Sequence, residues 1–186
     1  MSIFPTNLGW FGFLGHEVGL LSVLIGHATA DEVRQQAIQR LVDAKVDPEF
    51  IEHDWKPELR HRLERYSLGQ RVEFEDVSLV LPEGTEFQQR VLKATRRIGY
   101  GKTISYGRLA DKAGYPRAAR AVGSVMAQNR FPIILPCHRV VAAGDQPGGY
   151  SAPQGVSLKV RLLALESANE RPLTLPRKNA KIASSR

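Results

Sequence analysis

The hydrophobic pattern of this 186-residue chain changes character at Pro82-Glu83-Gly84, and that change limits the folds open to it. Upstream, residues 9–14 and 20–25 read as two short strands around Gly15-His16-Glu17-Val18-Gly19, which predicts a hairpin. Thr29 with Glu32 forms a capping-box pattern, and Val33, Ala37, Ile38, Leu41 and Val42 then recur at helical spacing. Pro48 and Pro57 punctuate a loop, and Leu59, Leu63 and Tyr66 predict a short helix after it. Residues 72–81 read as a third strand, bulged where alternation slips between Phe74 and Val77. Downstream of Gly84 the apolar spacing is mostly helical. Sheet first and helices afterwards is the order of an α+β fold: a small N-terminal antiparallel sheet with helices, then a mainly helical C-terminal domain. The domains are placed at 1–81 and 85–169, with 82–84 as linker and 170–186 as a basic tail expected to be disordered.

In the second domain Thr85 with Gln88 is another capping box, and Phe87, Val91, Leu92, Thr95 and Ile98 share one helical face. Ser105 can cap a short helix carrying Leu109, Ala110 and Ala113, which Gly114 ends in a left-handed conformation. Pro116 is predicted at the first position of the next helix, whose inward face is Ala118, Ala119, Val122, Val125 and Met126. Two short helices joined by Gly114-Tyr115-Pro116 make a helix-turn-helix, with Arg108, Lys112, Arg117 and Arg120 on or beside it. Residues 131–136 read as an apolar strand bracketed by prolines. Leu158, Leu162 and Leu165 predict a last helix.

Charge divides along the same line. Residues 1–84 hold 8 basic and 14 acidic side chains, a net of −6, whereas residues 85–169 hold 13 and 4, a net of +9. The tail adds 5 basic and 1 acidic. A basic helix-turn-helix domain points to nucleic acid, an anionic membrane surface or an acidic protein, and charge alone does not choose among them. No apolar run reaches the ~18 residues of a membrane span. Residues 1–9 lack the basic start and small-residue cleavage site of a secretory signal, so a cytoplasmic, reduced setting is expected. Cys137 is the single cysteine, which excludes an internal disulfide and a multi-cysteine zinc site.

That thiol is either a small buried hydrophobe or the centre of the chemistry. His138 and Arg139 follow it and a rigid Pro136 precedes it. A free thiol has a pKa near ~8.5 and is only a few per cent thiolate at neutral pH, so a nucleophilic cysteine needs a base. Histidine titrates in the right range. Adjacent residues of an extended chain point to opposite faces, so His138 reaches Cys137 only across a bend or through a water.

Pro136-Cys137-His138-Arg139-Val140-Val141, preceded by Arg120-Ala121-Val122-Gly123 and Asn129, resembles the active-site signature of the O6-alkylguanine-DNA alkyltransferases, the methylated-DNA–protein-cysteine methyltransferases. The likeness runs from Gly84-Thr85-Glu86-Phe87-Gln88 through Tyr100-Gly101-Lys102-Thr103 and Ser105-Tyr106 to Glu166. It is looser in the first half, where Gly9-Trp10-Phe11-Gly12 carries it. The resemblance implies a ribonuclease-H-like first domain and a winged-helix-like second one. It also implies a suicide reaction, in which Cys137 takes the alkyl group of O6-alkylguanine as a stable thioether, and leaves open whether O4-alkylthymine is a second substrate. Glu166 would hold His138, His138 would deprotonate Cys137 through a water, and Asn129 would tie the recognition helix to the cysteine loop.

The target base must leave the stack. The resemblance implies minor-groove binding, with Arg120 entering in place of the base and the small Ala118 and Ala119 permitting close approach. Tyr106 would crowd the phosphate and help protonate the leaving guanine. Main-chain groups of Cys137, Val140 and Ser151 would read the base edge, and Tyr150 and Pro132 would wall its pocket. The implied partner is double-stranded DNA carrying alkylated bases, met by a monomer with no cofactor, no metal and no obligate protein partner.

Two departures stand out. Arg130-Phe131 intervenes before Pro132, where the family commonly has proline directly; the arginine either adds a phosphate contact, as does Arg117 on this reading, or loosens the turn. Residues 150–157 form a proline-containing loop where the family has a glycine-rich lid, which either narrows tolerance for large alkyl groups or moves aside. Other readings are a lesion-binding relative without transfer, which would lack the cysteine, and a cysteine hydrolase, which would leave the basic helix-turn-helix unexplained.

Overall fold

A computed structural model describes residues 1–47 and 50–168; Pro48 and the 170–186 tail lie outside them. Three strands, β1 (Ser2–Thr6), β2 (Gly9–His16) and β3 (Gly19–His27), form an antiparallel sheet in the order β1-β2-β3. The hairpin is as expected from the sequence, with β2 and β3 closing on Glu17-Val18. β1 was not foreseen: it is short and carries Pro5, which lacks a donor and is tolerated because β1 is an edge strand. Helix α1 (Ala30–Asp43) starts at Thr29, whose side chain accepts from the Glu32 N–H, and buries Val33, Ala37 and Leu41 against the sheet. Helix α2 (Pro57–Ser67) buries Leu59, Leu63 and Tyr66 with Phe4, Phe11 and Phe13 of the sheet.

Residues 72–81 are not a strand. They make one parallel bridge, Leu20 with Leu79, and the carbonyls of Phe74, Glu75 and Val77 accept instead from the Arg96 guanidinium at 3.3, 3.0 and 2.6 Å. Arg62 takes the Glu73 carbonyl and both Asp76 oxygens. Over 73–77 side chains have replaced the ladder partner that a strand requires, while Ser78 and Val80 bond the Leu20 backbone, at 2.9 and 2.8 Å.

Beyond Gly84, α3 (Glu86–Arg96) begins with a complete Thr85–Gln88 capping box. A two-residue strand β4 (Ile104–Ser105) leads to α4 (Tyr106–Lys112), capped by Ser105, and then α5 (Ala119–Ala127). Gly114 adopts φ +87°, the left-handed stop that its lack of a Cβ permits. Pro116 does not open α5: the helix starts three residues later, after Arg117 at φ +71°. The expected strand at 131–136 is also absent. Leu135 N donates to Phe131 O at 2.7 Å and Ile133 sits at φ +72°, so the segment is a buried tight turn. An apolar run between prolines fits either geometry, and period alone does not separate them.

A 3₁₀ turn at Cys137–Arg139 follows, then β5 (Val140–Val141), parallel to β4, and α6 (Gly155–Ala168), which inserts Leu158 and Leu162 into the main core. Among the described residues no helix is long and apolar enough to cross a membrane.

Candidate active site

The 3₁₀ turn supplies the bend that an extended Cys137-His138 step would have lacked. It is imposed by its neighbours. Arg139 N donates to Pro136 O at 2.9 Å, and Cys137 N to Leu135 O at 2.7 Å. Asn129, just past α5, fixes the same loop through three bonds. Its Nδ2 donates to Leu135 O at 2.8 Å and to Cys137 Sγ at 3.0 Å, and its Oδ1 accepts from Phe131 N at 2.9 Å.

Cys137 is only 5% exposed, yet it opens on two cavities. One, of about 310 Å³, is lined with it by Tyr106, Gly123, Met126, Tyr150 and Ser151. The other, of about 550 Å³, runs from Cys137, Pro132 and Tyr150 to His27, Gln36 and Arg40 on the N-terminal side. Burial pushes the Cys137 thiol up; the Asn129 amide and the Lys159 ammonium pull against that shift without reversing it. At rest the sulfur is a thiol. Lys159 is itself fully buried, and its Nζ donates to Val140 O at 2.6 Å and Gly149 O at 3.3 Å.

Behind the cysteine lies a buried polar cluster. His138 Nε2 is 2.8 Å from Glu166 Oε1 and 3.2 Å from the Tyr66 hydroxyl, which donates to Glu166 Oε1 at 2.6 Å. Arg139 Nε donates to Glu166 Oε2 at 2.9 Å, its second terminal nitrogen to Oε1 at 2.9 Å, and Gly101 N to Oε2 at 3.0 Å. Burial alone would push the Glu166 carboxyl up, but the His138 and Arg139 bonds hold it far below the usual carboxylate range. Burial pushes His138 down against the pull of Glu166, so its imidazole is neutral near pH 7. A carboxylate can only accept, and Tyr66 commits its one proton to it, so the proton between His138 and these oxygens sits on Nε2. That leaves Nδ1 as the acceptor. Nδ1 is buried and has no hydrogen-bond partner among the described residues.

Comparison with known proteins places this arrangement. Residues 86–168 match the DNA-binding domain of 6-O-methylguanine DNA methyltransferase. The chain is 42% identical over 133 residues to the methylated-DNA–protein-cysteine methyltransferase of Mycobacterium leprae, a match covering 68% of this chain and 77% of that protein. The chain belongs to the methylated-DNA–protein-cysteine methyltransferase family. Identity to the Mycobacterium tuberculosis protein of that name is 49% over 107 residues, a match spanning 58% of this chain and 62% of that relative's length. The crystal structure of Mycobacterium tuberculosis OGT in complex with DNA superposes with a TM-score of 0.72 at 34% identity, covering 90% of this chain and 92% of that one.

Within this methyltransferase fold, Cys137, His138, Asn129 and Glu166 converge, and Tyr106, Pro132, Tyr150 and Ser151 line the cavities at the sulfur. Arg120 and Arg117 are exposed and Ala118 and Ala119 half-buried. Val140 lines neither cavity: its N–H donates to Cys137 O and its carbonyl accepts from Lys159. Arg130 stands near Arg40 of α1, and its carbonyl accepts from Val23 N at 2.8 Å and Ser22 Oγ at 3.1 Å. The Arg130-Phe131 departure therefore does not loosen the turn. It buries Phe131 and stitches the turn to β3. The 150–157 loop is likewise anchored, since Gln154 Nε2 donates to Gly26 O at 2.8 Å and Leu8 O at 3.2 Å.

Tyr66 and Lys159 were not singled out as site residues from the sequence. Tyr66 reads only as an apolar helix position. Lys159 left a usable trace: it lies seven residues before Glu166, on the face that also carries Leu158 and Leu162.

Proposed function

We propose that this methyltransferase-family protein repairs DNA by direct reversal, moving the alkyl group of O6-alkylguanine in duplex DNA onto Cys137. The observation that carries the reading is a thiol held by Asn129 where two cavities meet, beside a buried histidine whose Nδ1 is free to accept a proton. A buried ring nitrogen without a protein partner is the kind of atom an internal water satisfies. Through that water His138 Nδ1 takes the Cys137 proton as sulfur attacks. The new S–C bond forms as the C–O6 bond breaks, and the electron pair of the broken bond passes to guanine. On this reading Tyr106, which lines the same cavity as Cys137, protonates the departing base through its hydroxyl. General-base assistance of this type is worth about 100- to 10,000-fold.

Because the resting thiol is protonated and His138 neutral, proton transfer accompanies attack. A thioether is a stable bond that water does not cleave at neutral pH, so on this reading each molecule acts once. The base is flipped out through the minor groove, with Arg120 of α5 filling its place and Arg117 contacting phosphate. We read the first unit as ribonuclease-H-like, the second as winged-helix-like, and 82–84 as their joint. The larger cavity leaves room at the sulfur for alkyl groups beyond methyl. The reading is tested by titrating the protein with duplex containing O6-methylguanine: repaired guanine plateaus at one equivalent per protein. Continued turnover past one equivalent overturns it.

A further inference from the structure

Tyr66 belongs to α2, far in sequence from the cysteine turn, yet its hydroxyl ends between the two groups that prepare the sulfur. It is fully buried, with its ring edge-on to Phe74, Tyr100 and His138 at centroid distances of 6.2, 6.1 and 6.5 Å. We infer that Tyr66 is a positioning residue for alkyl transfer, holding the His138 ring and setting how much negative charge Glu166 presents to it. The N-terminal unit is then part of the proton-accepting machinery and not only a support for it. The inference rests on the reading of Cys137 as alkyl acceptor.

The charged groups facing His138 are Glu166 and Lys159 from α6 and Arg139 from its own turn; Tyr66 is the titratable group that α2 contributes. Tyr66 acts on the imidazole in two opposed ways. Its proton on Glu166 Oε1, at 2.6 Å, withdraws charge from the oxygen that His138 faces, which disfavours the imidazolium. Its own oxygen, 3.2 Å from Nε2, favours the imidazolium by accepting. A short bond to a carboxylate outweighs a long contact between neutral groups, so the net effect keeps His138 neutral. This matters for catalysis. A histidine in a full ion pair with Glu166 would already hold the proton it must accept. Tyr66 and Arg139 share the carboxylate and prevent that.

Tyr66→Phe keeps the ring and removes the hydroxyl. Single-turnover methyl transfer from single-stranded O6-methylguanine oligonucleotide, followed by intact mass across pH, reads both effects. The variant is expected to react about tenfold more slowly at neutral pH, the scale of one lost hydrogen bond. The acid limb of its rate profile moves about half a pH unit upward. An unchanged rate and limb overturn the inference. So does a slower rate with the limb in place, which packing alone would produce. Should Tyr66→Phe fail to fold, 3-fluorotyrosine in place of Tyr66 gives the opposite sign: its more acidic hydroxyl donates more strongly and moves the limb downward. An unmoved limb there also overturns the inference. Wild-type protein that takes up no methyl group overturns the alkyl-transfer reading instead, so the two failures are distinct.

Discussion

Glu166 is where the buried charge of this molecule converges, and it links stability to pH. Its folded carboxyl is held below the ordinary value of about 4.3, so its stabilisation is complete above that pH and drains away as pH falls below it. Replacing it as Glu166→Gln leaves Arg139 buried without its counter-charge, a loss of about 3–5 kcal/mol. Thermal midpoints measured against pH should therefore fall below about pH 4 in the wild type, more gently in the variant, and the variant should start lower at pH 7. Equal slopes in acid would contradict this. At this scale the site was legible through the resemblance that residues 136–141 and Asn129 carry, since the residue types alone left Cys137 either a buried hydrophobe or a nucleophile. It was least legible for Tyr66, whose hydroxyl acts across 72 residues of chain that no local pattern connects.

The helices were readable because caps and apolar spacing are local. Thr29, Thr85 and Ser105 each cap the helix they were expected to start. The two lost strands failed for a shared reason: a strand is defined by its partner, and here Arg96 and Arg62 serve 73–77 while Asn129 closes 131–135 into a turn. Helix α5 carries the main functional prediction at this level. Arg120 is exposed in its first turn. If it substitutes for an extruded base, Arg120→Ala slows repair of duplex far more, by about tenfold or greater, than reaction with free O6-benzylguanine, which needs no flipping. Parallel rate measurements on the two substrates check this; equal losses would remove the role.

Across the whole molecule, two unlike halves are sewn into one site. Val23 and Ser22 bond the Arg130 carbonyl, Gln154 reaches Leu8 and Gly26, Arg161 reaches Asn7, and Tyr66 completes the cluster behind Cys137. Charge and periodicity both change at 82–84, whereas these joints are long-range and left no mark in either. The net +9 of residues 85–169, with Arg108, Lys112, Arg117 and Arg120 all exposed, predicts salt-sensitive DNA binding. If those four neutralise phosphates, affinity against salt on logarithmic axes has a slope of about −3 to −4, measurable by fluorescence anisotropy. A flat dependence would remove DNA as the partner of this face.

The account stands on the Cys137 sulfur as the atom that accepts carbon, and intact-protein mass spectrometry with peptide mapping tests it most directly. After incubation with O6-methylguanine duplex, each molecule should gain one methyl group, located on Cys137, while Cys137→Ala binds the same DNA and gains none. A methyl group on any other residue, or no gain despite repaired DNA, would contradict it.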